Sequence, residues 1–314
     1  MIPPTLADLQ AAQKRIKQHV HRTPVMRSQQ LDAETGAQVF FKCEHLQRTG
    51  AFKARGAMNA VLGLSRTDAP AGVATHSSGN HGAALALAAR SCGLPAYVVM
   101  PANAAAVKKD AVASYGGKII DCEPTLAARE AALAVVLKET GAQAVHPYND
   151  ARIIAGQGTA ALELMKQAKD LDVLVVPVGG GGLLAGTAIA VKGLNPRIEV
   201  MAIEPEGADD AFRSFGLGEL QPQTNPDTIA DGLRAGLGEL NFEIIRKQVD
   251  TIVTVPDLLV VTAMQLLWSR MKQVVEPSGA VSFAGLLEYP ERFRGRRVGV
   301  VLSGGNVDLD RLPW

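Results

Sequence analysis

Four short segments, far apart in this 314-residue chain, carry residue types that together suit chemistry on an amino group. They are Thr49-Gly50-Ala51-Phe52-Lys53-Ala54-Arg55-Gly56, Ser77-Ser78-Gly79-Asn80-His81-Gly82, Gly179-Gly180-Gly181-Gly182-Leu183 and Ser303-Gly304-Gly305-Asn306. A lysine can carry an aldehyde once deprotonated, and burial or nearby positive charge favours that form. A glycine run between an apolar strand and a helix start lets backbone amides converge on an anion, with the helix amino end adding a favourable field. Neither GxGxxG nor a GK[ST] ending is present, so the run suits one phosphate rather than a pyrophosphate. Ser303 ends a strand, where a side chain reaches the cleft at a sheet's carboxyl edge, and a neutral hydroxyl there can meet a ring nitrogen without holding it protonated. The 77–82 loop precedes a helix whose amino end can receive a carboxylate. Each segment alone also has a plain reading: a solvated surface lysine, a flexible turn, an N-cap serine at Ser78, a β-turn. His76 and His81 lack the GxSxG elbow that a hydrolase triad needs.

Taken together, the four segments resemble the fold type II pyridoxal phosphate enzymes (tryptophan synthase β-like), and within them the serine/threonine dehydratase (ammonia-lyase) and serine racemase branch. Phe52-Lys53-Ala54-Arg55-Gly56 matches that family's Ser-Phe-Lys-x-Arg-Gly pattern, with Ala51 replacing the serine. His146-Pro147-Tyr148-Asn149-Asp150, Ile154-Ala155-Gly156-Gln157-Gly158-Thr159, Ala230-Asp231-Gly232 and Glu276-Pro277-Ser278-Gly279-Ala280 look like the same branch, whereas cysteine and threonine synthases carry aspartate where Ala54 stands. The resemblance implies pyridoxal 5'-phosphate as cofactor, with Lys53 and Ser78 catalytic on opposite faces of its plane. It implies cofactor contacts from Phe52, Lys53, Asn80, Gly179, Gly180, Gly181, Gly182, Leu183 and Ser303, and substrate contacts from Ser77, Ser78, Gly79, Asn80 and His81. It also implies Mg²⁺ or Ca²⁺ on Glu204, the carbonyl of Ala208, and Asp210. By itself the Glu204 to Asp210 turn reads either as a hard-cation site or as a solvated acidic loop.

The implied activity is loss of water and then ammonia from a β-hydroxy α-amino acid such as L-threonine or L-serine, giving a 2-oxo acid. Amino-acid racemisation, dehydration of 3-hydroxyaspartate or phenylserine, and cofactor binding in a regulatory protein without turnover are the alternatives. Ala51 and Ala83 stand where relatives often have serine and glutamine, which permits a roomier and less polar pocket. The expected partner is a small amino-acid substrate, and the resemblance implies a homodimer.

Positioning these groups requires an α/β scaffold. Apolar or β-rich runs at 39–43, 72–76, 96–100, 118–122, 173–178, 199–204, 251–255 and 297–302 alternate with helical spacing at 81–91, 126–140, 156–168 and 258–272. The 173–178 run is apolar throughout, as in a parallel strand covered on both faces. The expected architecture is two open, twisted, mostly parallel sheets flanked by helices. The resemblance divides it into a large cofactor-binding domain, 1–69 and 148–314, and a small domain, 70–147. Thr5 and Asp8 read as a capping box opening a helix rather than a signal peptide. Lys and Arg total 32 against 31 Asp and Glu, a balance that speaks against a nucleic-acid partner. No apolar run reaches bilayer-spanning length, so no membrane association is expected. Cys43, Cys92 and Cys122 lie far apart without CxxC and read as buried small hydrophobes in a reducing cytoplasm.

Overall fold

Two sheets account for the strands of the computed structural model, which describes residues 2–64, 69–77, 79–104 and 106–314. In chain order the strands are β1 (Val25–Met26), β2 (Gln38–Cys43), β3 (Val73–His76), β4 (Ala96–Pro101), β5 (Lys118–Cys122), β6 (Gln143–Ala144), β7 (Val173–Pro177), β8 (Glu199–Pro205), β9 (Thr251–Val255) and β10 (Arg297–Leu302). The larger sheet has the order β1-β2-β10-β7-β8-β9 and the smaller β5-β4-β3-β6. All pairings are parallel except β1 with β2. The smaller sheet draws its strands from one stretch of chain, and the larger sheet from both flanks of it.

The apolar strand β7 is buried at every residue because helices cover both faces. Leu174 and Val176 face a core that includes Ile154, Leu184 and Ile245, while Val173 and Val175 face one that includes Met264, Val281 and Phe283. In the smaller sheet Val73 and Val98 pack with Leu85 and Met58, and Ala74 and Val99 with Val136 on the opposite side. All eight sequence-predicted strands are present; the two-residue β1 and β6 are too short to show a period. The helix expected at 258–272 is α-helical over Asp257–Leu266 and then widens into a π-helical turn, Leu267–Met271. Thr5 and Asp8 form the expected reciprocal capping box.

One long helix, Ala151–Gln167, is the spine of the site. It crosses the helix Lys53–Leu62 where a Cβ on Gly156 would lie 2.6 Å from Gly56 Cα, so only glycine permits the approach. Further along it meets the helix Gly182–Leu194, where a Cβ on Gly186 would lie 2.5 Å from Ile154 O. The lysine helix and the glycine-run helix are thus both set against the same spine.

A water-excluded ion cluster fastens the first of these contacts. Arg55, two residues after Lys53, is fully buried. Its Nε and Nη2 donate to the Glu44 carboxylate (2.7 and 2.8 Å), and its Nη1 and Nη2 donate to that of Glu163 (2.9 and 2.8 Å). Lys42 Nζ donates to the second Glu163 oxygen at 2.7 Å and to Thr23 O at 2.9 Å. Two cations face two carboxylates, and Thr23 Oγ1 donates to Glu44 as well. The Arg55 guanidinium holds the Glu44 carboxyl below its ordinary range against the opposing push of burial. Removing one partner leaves charge stranded in the interior. We therefore expect Arg55→Leu to destabilise the protein by roughly 3–5 kcal/mol, read from urea unfolding; a loss under about 1 kcal/mol, the value of an exposed pair, would show that the cluster is not what fastens the helix.

Candidate active site

The carboxyl ends of β3, β7 and β10 open onto one cleft of about 850 Å³, lined by Lys53, Ser77, Gly180 and Ser303 among others. Four segments separated by more than two hundred residues therefore converge. Lys53 begins the helix Lys53–Leu62, and the chain before it is sewn to the end of β10. Phe52 N donates to Ser303 O at 3.0 Å, and Ala51 bridges Gly304. The half-buried Lys53 Nζ donates to Pro147 O at 3.0 Å and lies 5.1 Å from the centre of the Phe52 ring. Burial pushes its ammonium down from the usual lysine value to about 8.

The glycine run crosses from β7 into the helix Gly182–Leu194, with Gly181 at φ 88°. A Cβ on Gly180 would fall 2.4 Å from Tyr148 Cγ, and one on Gly179 2.8 Å from Leu233 Cα; bare backbone alone passes between these walls. Leu183 follows in the first helical turn and lines the cleft. Ser303 is buried, and its hydroxyl donates to Ser278 O at 3.2 Å.

The third loop departs in detail from the sequence expectation, because its helix begins at Asn80 rather than His81. Ser77 Oγ accepts from Gly79 N at 3.3 Å, and Ser77, Gly79, Asn80 and His81 all line the cleft. Ser78 lies outside the described residues. Asn80 spans the cleft: its Nδ2 donates to Glu276 Oε1 at 2.7 Å and its Oδ1 accepts from Asn306 Nδ2 at 2.8 Å. His81 is buried, with Nε2 3.4 Å from Val145 O.

Glu276 was visible in the sequence only as part of a branch signature. Nothing local to it announces that it meets Asn80, 196 positions away. Burial first, then the charge of Asp231, pushes its carboxyl up to about 8, so it is a neutral acid at neutral pH. Three histidines, His76, His81 and His146, are likewise held neutral by burial, with His146 driven down to about 4. His146 Nδ1 accepts from Asn149 N at 2.9 Å, which leaves Nε2 as the protonated position. Lys108, Arg129 and Arg234 also line the cleft. Lys108 pairs with Asp231 across the opening, and Arg234 Nε donates to Thr228 O at 2.9 Å. Arg129 has no carboxylate partner among the described residues; its Nε donates to Thr125 O at 3.4 Å.

Apart from the cleft, Glu204 and Asp210 are both fully buried. Glu204 accepts from Ala211 N and Phe212 N at 3.1 and 2.7 Å, and Asp210 from Leu237 N and Gln223 Nε2 at 2.7 and 2.8 Å. Burial pushes Glu204 well above the ordinary carboxyl range and Asp210 up to about 6. Asp209 turns away to pair with Arg213, and among the described residues no three His, Cys, Asp or Glu side chains converge. The donors on offer are thus two carboxylates and the Ala208 carbonyl.

Comparison with known proteins bears on the whole chain. The model of a family described as pyridoxal-phosphate dependent enzyme matches residues 16–304. The chain is 51% identical over 314 residues to the beta-hydroxyaspartate dehydratase of Paracoccus denitrificans, covering 100% of both. It is 48% identical to the serine racemase of Arabidopsis thaliana, covering 98% of this chain and 94% of that protein. Among solved structures, maize serine racemase superposes with a TM-score of 0.97 at 44% identity, covering 98% of this chain and 95% of that one.

The depressed Lys53 amine has a direct check. In the cofactor-free protein, trace labelling with acetic anhydride across pH 6–11 should give Lys53 a reactivity midpoint of about 8, since only the neutral amine reacts. Peptide mass spectrometry resolves it from the exposed lysines, whose midpoints should lie near about 10.4. A Lys53 midpoint at that ordinary value would mean the cleft does not enclose it.

Proposed function

The chain belongs to the pyridoxal-phosphate dependent enzymes, and we propose that within them it is a dehydratase whose preferred substrate is 3-hydroxyaspartate. The cofactor suits the residues present: an enclosed amine at Lys53, a bare-backbone glycine run at a helix amino end for its phosphate, and a neutral hydroxyl at Ser303 for its ring nitrogen. Bound there, it supplies an electron sink for the pair released from the substrate's Cα–H bond.

The chain's own groups do the rest. The amides of the 77–81 loop, at the amino end of the helix Asn80–Ser91, receive the α-carboxylate. Lys53 Nζ, neutral for an appreciable fraction of the time near pH 8, takes the α-proton. The β-hydroxyl departs as water, taking up the proton that Lys53 removed from Cα, and the resulting enamine adds water to give a 2-oxo acid and ammonia. Glu276, as a neutral acid, orients the amide of Asn80 without adding charge beside it. In this reading, by the family resemblance, Ser78 is the second acid or base and governs any racemisation.

The observation that carries the substrate choice is Arg129, a cleft-lining cation without a carboxylate partner among the described residues. Serine and threonine carry only the α-carboxylate, which this reading gives to the loop after β3, whereas 3-hydroxyaspartate brings a second carboxylate for Arg129. The 51% identity to a protein named beta-hydroxyaspartate dehydratase supports the same choice. In this reading the chain is a homodimer of the reducing cytoplasm, each subunit divided at about residues 70 and 147; among the described residues no helix is long and apolar enough to cross a membrane.

An ammonia-release assay tests the choice. Arg129→Ala should lower kcat/KM for 3-hydroxyaspartate roughly 10- to 100-fold, the value of a hydrogen bond to a charged group, and leave that for L-serine within about threefold. Equal losses on both substrates would remove Arg129 from substrate recognition.

The same reading places Mg²⁺ or Ca²⁺ at Glu204, Asp210 and the Ala208 carbonyl, where it relieves the repulsion between two buried carboxylates. Divalent ion at about 100 times its dissociation constant should stabilise the protein by about 2.7 kcal/mol, and Asp210→Ala should abolish the gain. Identical melting curves in chelator and in divalent ion would sink the site.

A further inference from the structure

Asn241 does not touch the cleft lysine, yet it joins the glycine run to the 146–150 segment, two halves of the cofactor seat. It stands in the first turn of the helix Glu239–Gln248 and is fully buried. Its Nδ2 donates to Gly180 O at 2.5 Å and to Tyr148 O at 3.2 Å, so both amide hydrogens are committed. Gly180 O accepts a second bond from Gly238 N at 3.2 Å, at the amino end of the same helix. Asn149 Oδ1 accepts from Leu240 N at 3.0 Å, which ties the residue after Tyr148 to that helix as well. On the other side Pro147 O, one residue before Tyr148, accepts from Lys53 Nζ at 3.0 Å.

We propose that Asn241 is a positioning residue that fixes the glycine-run amides in register with Lys53, by clamping the Gly180 and Tyr148 carbonyls to one side-chain amide. A peptide plane whose carbonyl is clamped has its amide face fixed too, so holding Gly180 O aims the following N–H of Gly181. Gly181 sits at φ 88°, a conformation that relaxes readily unless neighbours determine it, and its missing Cβ is what lets Asn241 Cβ approach; a Cβ there would lie 2.9 Å away. Asn241 Oδ1 is buried with no hydrogen-bond partner, so the residue is kept for its donor end at the expense of its acceptor end. A packing role alone would be served better by leucine. The inference concerns the cofactor seat and stands apart from the choice of substrate.

The test compares two ligands of the apoprotein, pyridoxal phosphate and pyridoxal, which differ only in the phosphate. Asn241→Leu keeps the volume and removes both donors. It should weaken pyridoxal phosphate roughly 10- to 100-fold, two neutral hydrogen bonds' worth, in fluorescence titration, while pyridoxal binding changes less than about threefold. The ratio of the two dissociation constants therefore shrinks. Asn241→Ser, which keeps one donor, should give an intermediate ratio and answers the question if the leucine variant does not fold. A ratio unchanged from wild type in the folded variant, with both ligands weakened equally, would reduce Asn241 to a packing residue and overturn the proposal.

Discussion

A guanidinium with no access to water is the constraint from which the rest of the site follows. Arg55 can be buried only if every face of its fork meets an acceptor, and the acceptors come from three parts of the chain: the His21 carbonyl, Glu44 beyond β2, and Thr159 and Glu163 on the spine helix. Buried ion pairs are weak as net sources of stability, because desolvation consumes most of their attraction. Their directional strength lies elsewhere. Any slip of the lysine helix against the spine would strand a charge, so the pairing tolerates one register. Lys53 is the first residue of that helix, two positions before Arg55, and inherits the register.

The spine helix spreads this constraint. Its glycines accept the lysine helix on one side and the glycine-run helix on the other at backbone distance, where side chains would have allowed several packings. Its amino end is fed by the 146–150 segment, whose carbonyls at Pro147 and Tyr148 reach Lys53 and Asn241. One element thus carries the amine, the anion cup and the connecting segment. The smaller sheet instead carries the loop after β3. Three of the contacts that hold it across the cleft are polar, Asn80 with Glu276, Asn80 with Asn306, and Lys108 with Asp231. Such contacts exchange with water far more cheaply than packed glycine backbones, so the glycine-run side of the cleft is the more rigid and the β3-loop side the more easily opened.

The division between what the sequence discloses and what it hides follows the range of the interactions. Strands such as 173–177 announce themselves because burial on both faces makes every residue apolar. The four site segments are legible because each needs special backbone or a reactive group: consecutive glycines, a lysine after Phe52, a serine at a strand end. Arg55 was legible only as part of the lysine pattern, since an arginine amid small residues looks the same whether solvated or enclosed. Arg129 and Asn241 leave no local trace, and Glu276 stands out only as part of a branch signature. Each acts on a partner that only the folded chain brings near, and an acid before proline, an arginine on a helix or an asparagine in a first turn is ordinary in itself. The π-helical turn at 267–271 was likewise invisible, because its apolar spacing continues that of the helix before it.

Charge is distributed along the cleft in a way that neither end could arrange alone. Around Lys53 the titratable neighbours are histidines that burial keeps neutral, and the positive charge of Lys53 itself helps to depress His81 and His146. The relation is reciprocal: each of these groups disfavours a proton on the others, so the inner cleft resists accumulating positive charge. Glu276, the acid that could have offset this, is itself protonated near neutral pH and contributes no field to favour an ammonium. Lys108, Arg129 and Arg234 also line the cleft, and Arg129 has no carboxylate partner among the described residues. In the proposed reading an anionic amino acid is drawn by these cations, while burial keeps Lys53 Nζ, the proposed acceptor of its α-proton, partly neutral. An ionised carboxylate placed beside Lys53 would favour its ammonium and repel an anionic substrate, so both properties depend on the inner cleft carrying none.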